Sequence, residues 1–443
     1  MHRKLLYFTI LALLLMVAPL VSAQEDAIPI AIGEEASGEI SGTAATYVFS
    51  ATAGQMLIVD ILSEDFEPVA EVNDASGSEV AFAFGGDTFA SVVFTVPEDG
   101  EYFASAGEFM GEGTGAYTIR VREGQTIAFG DTVDVEINGG TDAYTFEGTT
   151  GTLAVIDLST AGMELEVELY DSAGTLLASD AVFSSGTQAI IEFLLPADDT
   201  YTIQVPLWFA TDVLSGPYTL SLNSITPESL TYDTGVTSEV TGVERNYFFF
   251  EGTTADVIHI TADSGTTEEV EGIDVNLELV GPDGEIVATD RSDGPFADPA
   301  LTRLLLPMDG LYLLKVIPND EDEAQTGSVD VLVETAELLS TDEGPVSLTL
   351  GDRFEQDFIR FTGEPGASYT LTITPERSFV SFNAAIGEGF FNTINGTVSN
   401  GDRLILDFTI PTEDTTAGLF DVSLRQSSFQ DVTTYEVSIT TAE

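Results

Sequence analysis

One strand-and-turn pattern recurs four times along this chain, and it limits the possible fold more than any other feature. The segment Ala45-Thr46-Tyr47-Val48-Phe49-Ser50-Ala51 returns as Asp142-Ala143-Tyr144-Thr145-Phe146-Glu147-Gly148. It returns again as Arg245-Asn246-Tyr247-Phe248-Phe249-Phe250-Glu251-Gly252 and as Asp357-Phe358-Ile359-Arg360-Phe361-Thr362-Gly363. With Tyr47, Tyr144, Tyr247 and Phe358 as anchors, the period is roughly 100 residues, the size of a small domain and too long for a solenoid unit.

The rest of each repeat reads as strands. Short runs rich in Val, Ile, Thr, Tyr and Phe are broken by Gly, Asp and Pro every 8–12 residues or so, the pattern of antiparallel sandwiches. Leu165-Glu166-Val167-Glu168-Leu169-Tyr170 and Val275-Asn276-Leu277-Glu278-Leu279-Val280 alternate strictly, so one face can pack while the other meets water. Polar turns follow in three repeats: Asp74-Ala75-Ser76-Gly77, Asp171-Ser172-Ala173-Gly174 and Gly281-Pro282-Asp283-Gly284. The most regular element is Val96-Pro97-Glu98-Asp99-Gly100-Glu101-Tyr102, matched by Leu195-Pro196-Ala197-Asp198-Asp199-Thr200-Tyr201 and Leu306-Pro307-Met308-Asp309-Gly310-Leu311-Tyr312. Proline cannot donate to a ladder, so it marks the strand end. A closing strand begins at Gly115-Ala116-Tyr117, Gly216-Pro217-Tyr218 and Gly327-Ser328-Val329, and the fourth repeat keeps only a looser version of these signals. The expected architecture is all-β: four tandem antiparallel β-sandwich (jelly-roll-like) domains over residues 24–123, 124–223, 224–336 and a divergent 337–443. Short links and no flexible spacer suggest a string of beads with limited bending.

Residues 1–23 read as a signal peptide: His2-Arg3-Lys4, an apolar run from Leu5 to Val17, then Val21-Ser22-Ala23. The run is short for a membrane span. The expected mature protein is secreted or cell-surface associated, with no membrane insertion after signal cleavage. There are no cysteines, so disulfides, thiol catalysis and Cys-containing zinc sites are excluded. About 100 residues per unit can close a modest core by packing alone.

Charge narrows the partners. Asp and Glu number 75 against 13 Lys and Arg, for a formal net charge of −62. Loss of Arg3 and Lys4 with the leader deepens it and leaves Lys315 as the only lysine. Phosphate backbones and anionic headgroups repel such a surface, so nucleic acid and anionic lipid are excluded as partners. With 43% of residues apolar, the chain reads as folded rather than disordered.

Taken in order, the Tyr-x-Phe strand, the Asp-x-x-Gly turn, the Pro-x-Asp-Gly-x-Tyr turn and the Gly-x-Tyr strand resemble the bacterial pre-peptidase C-terminal domain. The resemblance covers nearly all of the chain after the leader, well in three repeats and weakly in the fourth. It implies jelly-roll-like sandwiches of secreted proteins, appended to hydrolases, that do no chemistry themselves. Such modules aid secretion, hold an enzyme on an insoluble substrate or, in some members, bind calcium. No enzyme domain precedes the repeats here, so the accessory role would need a separately encoded secreted hydrolase.

The residues point the same way on catalysis. His259 is the only histidine after the leader, and its place in Val257-Ile258-His259-Ile260 suggests an outward-facing side chain rather than a triad member. Carboxylate pairs arise everywhere in so acidic a chain, and no Gly-x-Ser-x-Gly elbow or His-Glu-x-x-His helix occurs. The expectation is a non-enzyme. Two acidic clusters suit a hard cation such as Ca²⁺: Asp263 with Glu268 and Glu269, and Asp320-Glu321-Asp322. The same residues suit solvated acidic loops. A loop that diverges between repeats carries Phe109 in the first, Trp208-Phe209 in the second and Phe429 in the fourth. A divergent loop on a repeated framework is how binding surfaces are built, although Trp208 and Phe209 equally suit capping their own sandwich. The functional expectation is a non-catalytic binding or structural protein, calcium-stabilised, that contacts extracellular polysaccharide or surface proteins through variable loops.

Like-charge repulsion on this scale opposes the folded state and is screened by salt. The melting temperature should therefore climb from low to high NaCl. An unchanged melt would show that tightly bound ions already compensate the charges.

Overall fold

The structure is a computed structural model. It describes residues 27–442 apart from 87, 109–112, 184–185, 208–214, 255, 266–271, 292–297, 320–324, 336, 340–343, 351–355, 365, 377–379, 387–393, 402, 411–418 and 427–432. Among the described residues every regular element is a strand, and no helix is long and apolar enough to cross a membrane. The chain divides into two compact bodies, Met1–Ile225 and Thr226–Glu443.

In the first body, alternating residues give nine strands per sandwich. The first sandwich holds β1 (Ile28–Pro29), β2 (Glu35–Ser41), β3 (Ala45–Ala51), β4 (Met56–Leu62), β5 (Pro68–Asp74), β6 (Glu79–Phe84), β7 (Phe89–Thr95), β8 (Gly100–Glu108) and β9 (Thr114–Glu123). They form a five-stranded sheet in the order β1-β3-β8-β5-β6 and a four-stranded sheet in the order β2-β9-β4-β7. Pairing is antiparallel except for β1, which runs parallel to β3 with Ile28 opposite Tyr47. The second sandwich holds β10 (Gln125–Thr126), β11 (Asp131–Asn138), β12 (Thr141–Gly148), β13 (Leu153–Thr160), β14 (Leu165–Tyr170), β15 (Leu176–Val182), β16 (Gln188–Leu194), β17 (Asp199–Pro206) and β18 (Ser215–Ile225). Its sheets repeat the same order, β10-β12-β17-β14-β15 and β11-β18-β13-β16.

The second body carries the same two-sheet order twice more, from Glu228 to Thr335 and from Glu337 to Thr441. Each of the four sandwiches closes over its own apolar core. The strand register corrects two of the four anchors. The short parallel strand opens opposite Tyr47, Tyr144, Phe248 and Ile359, and all four of those side chains are buried. Tyr247 lies one residue out of phase and is only half-buried, and Phe358 is likewise one residue out of phase.

The Pro-x-Asp turn is a structural corner. The Tyr102 hydroxyl donates to the carbonyl of Glu98 (2.8 Å), Tyr201 to Ala197 (2.9 Å) and Tyr312 to Met308 (2.7 Å). The aspartate inside each corner reaches across to the turn that ends the Tyr-x-Phe strand. Asp99 accepts the Ala53 N–H, Asp198 that of Thr150 and Asp309 that of Thr254. The tyrosine ring then lies against the strand's last residue. A Cβ on Gly148 would sit 2.5 Å from Leu195 and 2.6 Å from Tyr201, and Gly252 meets Leu306 and Tyr312 in the same way.

Within the first body the two sandwiches share a bonded seam. Asp60 on β4 is fully buried, facing away from its own core. Its carboxylate accepts Arg122 Nε (2.8 Å), pairs with Arg120 (3.2 Å) and accepts the Ser91 hydroxyl. Arg122 also reaches Asp142 (2.6 Å) and the Thr141 carbonyl, while Arg120 donates to the carbonyls of Asn138 and Gly139. Gly140, at φ +89°, lets the β11–β12 turn rest on Asp60, where a Cβ would strike the carboxylate at 2.2 Å. Met56, Ile58 and Ala143 form an apolar patch beside these ions. Removing one partner of so buried a pair costs about 3–5 kcal/mol, because an unpaired charge stays behind.

Tyr144 is fully buried in the second core and its hydroxyl bonds that of Tyr218. Tyr144→Ala should cost about 3–5 kcal/mol in chemical denaturation. A loss under about 1 kcal/mol would contradict this register.

Candidate binding surface

A concavity lies on the outer face of the four-stranded sheet of the second sandwich. It is an open groove of about 910 Å³, lined by residues of β11, β13, β16 and β18. Alternation sends Leu158, Ala189, Tyr218 and Leu220 inward to the core and leaves their neighbours on the other face. Pairing then aligns those neighbours into one row. Asp134 stands opposite Thr219, Thr219 opposite Ser159, and Ser159 opposite Gln188. Thr219 donates to Asp134 (2.7 Å) and Gln188 donates to Asp157 (2.6 Å). Glu136 and Thr160 extend the polar lining. The floor is anchored through Tyr218, whose hydroxyl donates to Asp142 at the seam (2.8 Å). Burial and the Asp142 charge hold the Tyr218 phenol well above its ordinary range, so it remains a donor. Carboxylates, hydroxyls and a carboxamide in line can bind polyols.

Of the residues singled out in the sequence, Asp263 is described. Glu268, Glu269, Asp320, Glu321, Asp322, Phe109, Trp208, Phe209 and Phe429 lie outside the described residues. Asp263 is exposed at the end of the strand Val257–Asp263 and accepts the Gly265 N–H (2.7 Å). Beside it stands Asp298, buried, accepting the Ser264 hydroxyl (2.6 Å) and N–H (3.2 Å). Burial pushes the Asp298 carboxyl above the usual carboxylate range, the Ser264 bonds oppose the rise, and Asp263 adds to it. Among the described residues no group of three or more His, Asp or Glu is placed to hold a metal.

His259 is buried although it points outward. Ile258 and Ile260 take the core positions on either side of it, so His259 does face away from the core, cross-strand from Glu334. Alternation fixes which way a side chain points, but not what covers that face. The polar row also escaped the sequence reading. Each of its members is visible as an outward position, but the register that joins four strands is set by non-local pairing.

Residues 140–206, within the second sandwich, match the family described as bacterial pre-peptidase C-terminal domain, and the tandem sandwiches resemble that module. No curated protein matches the chain. Among solved structures, the pre-peptidase C-terminal domain of collagenase from Bacillus anthracis is 21% identical, with 23% of this chain and 95% of that one covered at a TM-score of 0.20. The periplasmic inhibitor of g-type lysozyme from Salmonella Typhimurium is 17% identical, covering 24% and 97% at 0.18. An archaeal virus protein with a triple jelly roll fold is 11% identical, covering 68% and 89% at 0.21.

The Asp298 environment has a signed consequence. A carboxyl whose folded value is raised contributes stability in full below about pH 4, and that contribution is lost as pH rises through the folded value. Asp298→Asn should therefore melt higher than wild type at neutral pH and flatten this part of the pH profile. A variant that melts lower at pH 7 and keeps the wild-type slope would show that the ionised carboxylate is the stabilising form.

Proposed function

We propose that this protein is an extracellular, non-catalytic binding protein, and that the second sandwich holds polysaccharide hydroxyls along its polar row. The observation that carries this reading is the alignment of Asp134, Thr219, Ser159 and Gln188 across four strands on the wall of an open groove. Pre-peptidase C-terminal domains are modules of secreted bacterial proteins and do no chemistry themselves, and the match at 140–206 falls in the sandwich that bears the groove. The net charge of −62 favours an uncharged polymer over an anionic one.

The row suits this work physically. Asp134, Ser159 and Thr219 are short and stand on paired strands, so they lose little rotamer entropy on binding. The Thr219–Asp134 and Gln188–Asp157 bonds hold donors and acceptors at fixed spacing. Contacts of this kind contribute about 0.5–1.5 kcal/mol each, so affinity would come from several sugar units bound together.

Co-sedimentation of the chain with purified cell-wall polysaccharide, in calcium and in EDTA, tests the reading. Wild-type protein should pellet, and Gln188→Ala/Thr219→Ala should bind about tenfold more weakly, as expected for two lost hydrogen bonds. Equal pelleting of variant and wild type would remove the groove from the binding surface.

A further inference from the structure

The other sheet of the first sandwich carries a feature that its fold does not need. Along β6, Ala81 and Ala83 turn inward against the core and Phe82 and Phe84 turn outward. Their rings are 40% and 56% exposed and pack edge to face with centroids 4.6 Å apart. Large rings are ordinarily the side chains a core takes first, yet here the small residues face in. The repeats show that the framework tolerates other residues at these positions. Glu71 pairs with Phe82 and Val69 with Phe84 in the first sandwich. The matching pairs in the second are Glu168 with Ser179 and Glu166 with Ala181. In the third, Glu278 pairs with Thr289.

The sheet beside the rings is polar in a graded way. Glu71 lies next to Phe82, Ser105 next to Glu71, and Thr46 next to Ser105. The Asn73 amide donates to Glu71 (2.8 Å) and fixes its carboxylate. At the place of Ser105 the third sandwich has Lys315, which neutralises Glu278 (3.1 Å). The first sandwich has no such cation at that position, and Gly107, half-buried next to Val69, leaves the sheet low in front of Phe84.

We propose that the outer face of β6, β5 and β8 is a stacking platform for an uncharged polysaccharide, separate from the groove of the second sandwich. A pyranose ring presents a C–H face that lies on an aromatic ring and equatorial hydroxyls that reach sideways to a fixed carboxylate and a serine hydroxyl. Phe84, with Glu71 and Ser105 alongside, offers that pairing. Charge selects among occupants. A second copy of this chain would bring its own −62 to the face, and an anionic polymer or lipid would meet the same repulsion.

Affinity electrophoresis of the full mature chain tests the platform, in gels containing hydroxyethyl cellulose, a soluble β-1,3-glucan or a galactomannan. Wild type should be retarded by at least one of them. Phe82→Ser/Phe84→Ala, which installs the residues of the second sandwich, should lose that retardation at least tenfold while melting within about 2 °C of wild type. Phe84→Tyr keeps the stacking face and should remain retarded. Migration unaffected by all three polymers overturns the proposal, as does a double variant retarded like wild type. The Gln188→Ala/Thr219→Ala protein in the same gels separates the two surfaces. Loss in the phenylalanine variant alone supports the platform and counts against the groove, and loss in the groove variant alone does the reverse.

Discussion

Three of the four sandwiches close around a tyrosine that hydrogen-bonds its own chain four residues back. That bond, with the aspartate it encloses, fixes where the central strand of the five-stranded sheet begins. In the first sandwich the strand is β8, which pairs with β3 on one side and β5 on the other. A slip at its start would turn every side chain of three strands to the wrong face. With no cysteine to staple the fold, the register rests on strand pairing, the hydrophobic pattern and these corner bonds. The same corner stands at Tyr102, Tyr201 and Tyr312.

Once the corner holds the frame, the outward faces are free to differ. One position shows how far they do. Glu71, Glu168 and Glu278 occupy the same place in three sandwiches. Glu71 accepts the Asn73 amide, Glu168 the Tyr170 hydroxyl and Glu278 pairs with Lys315. The inward neighbours stay apolar: Ala70 and Val72, Val167 and Leu169, Leu277 and Leu279, all in their cores. A frame that keeps its inner face while its outer face varies is suited to recognition.

The fold was legible from the sequence because its signals are local. Strict alternation in Leu165–Tyr170 gives both the strand and its buried face, and Pro, Asp and Gly mark the turns with identifiable chemistry. Register was legible only where polar and apolar residues alternate cleanly. The run Tyr247-Phe248-Phe249-Phe250 has no polar residue to set the phase, so Tyr247 and Phe248 compete as anchor, whereas in the fourth repeat Arg360 between buried Ile359 and Phe361 marks the phase that Phe358 does not share. The proposed binding surfaces were the least legible part. The polar row exists only after four strands distant in sequence are paired. In Ala81-Phe82-Ala83-Phe84 the pattern is plain, but the ordinary preference for buried phenylalanine points to the opposite face.

Acidity also has a structural use that composition alone conceals. Asp74 accepts the N–H groups of Ser76 and Ser78 and the Ser76 hydroxyl, and these bonds hold its carboxyl below the usual range. Asp309 is lowered by its bonds to Thr254. A lowered folded value means stability that is present above the unfolded pKa and lost as pH falls through the folded one. Asp60, with no core of its own to enter, is held instead by two of the chain's few arginines where the first two sandwiches meet. Carboxylates in this chain therefore tie turns to strands and one sandwich to the next, as well as keeping the surface solvated. The same carboxylates that repel one another at low salt are bonds the fold cannot lose.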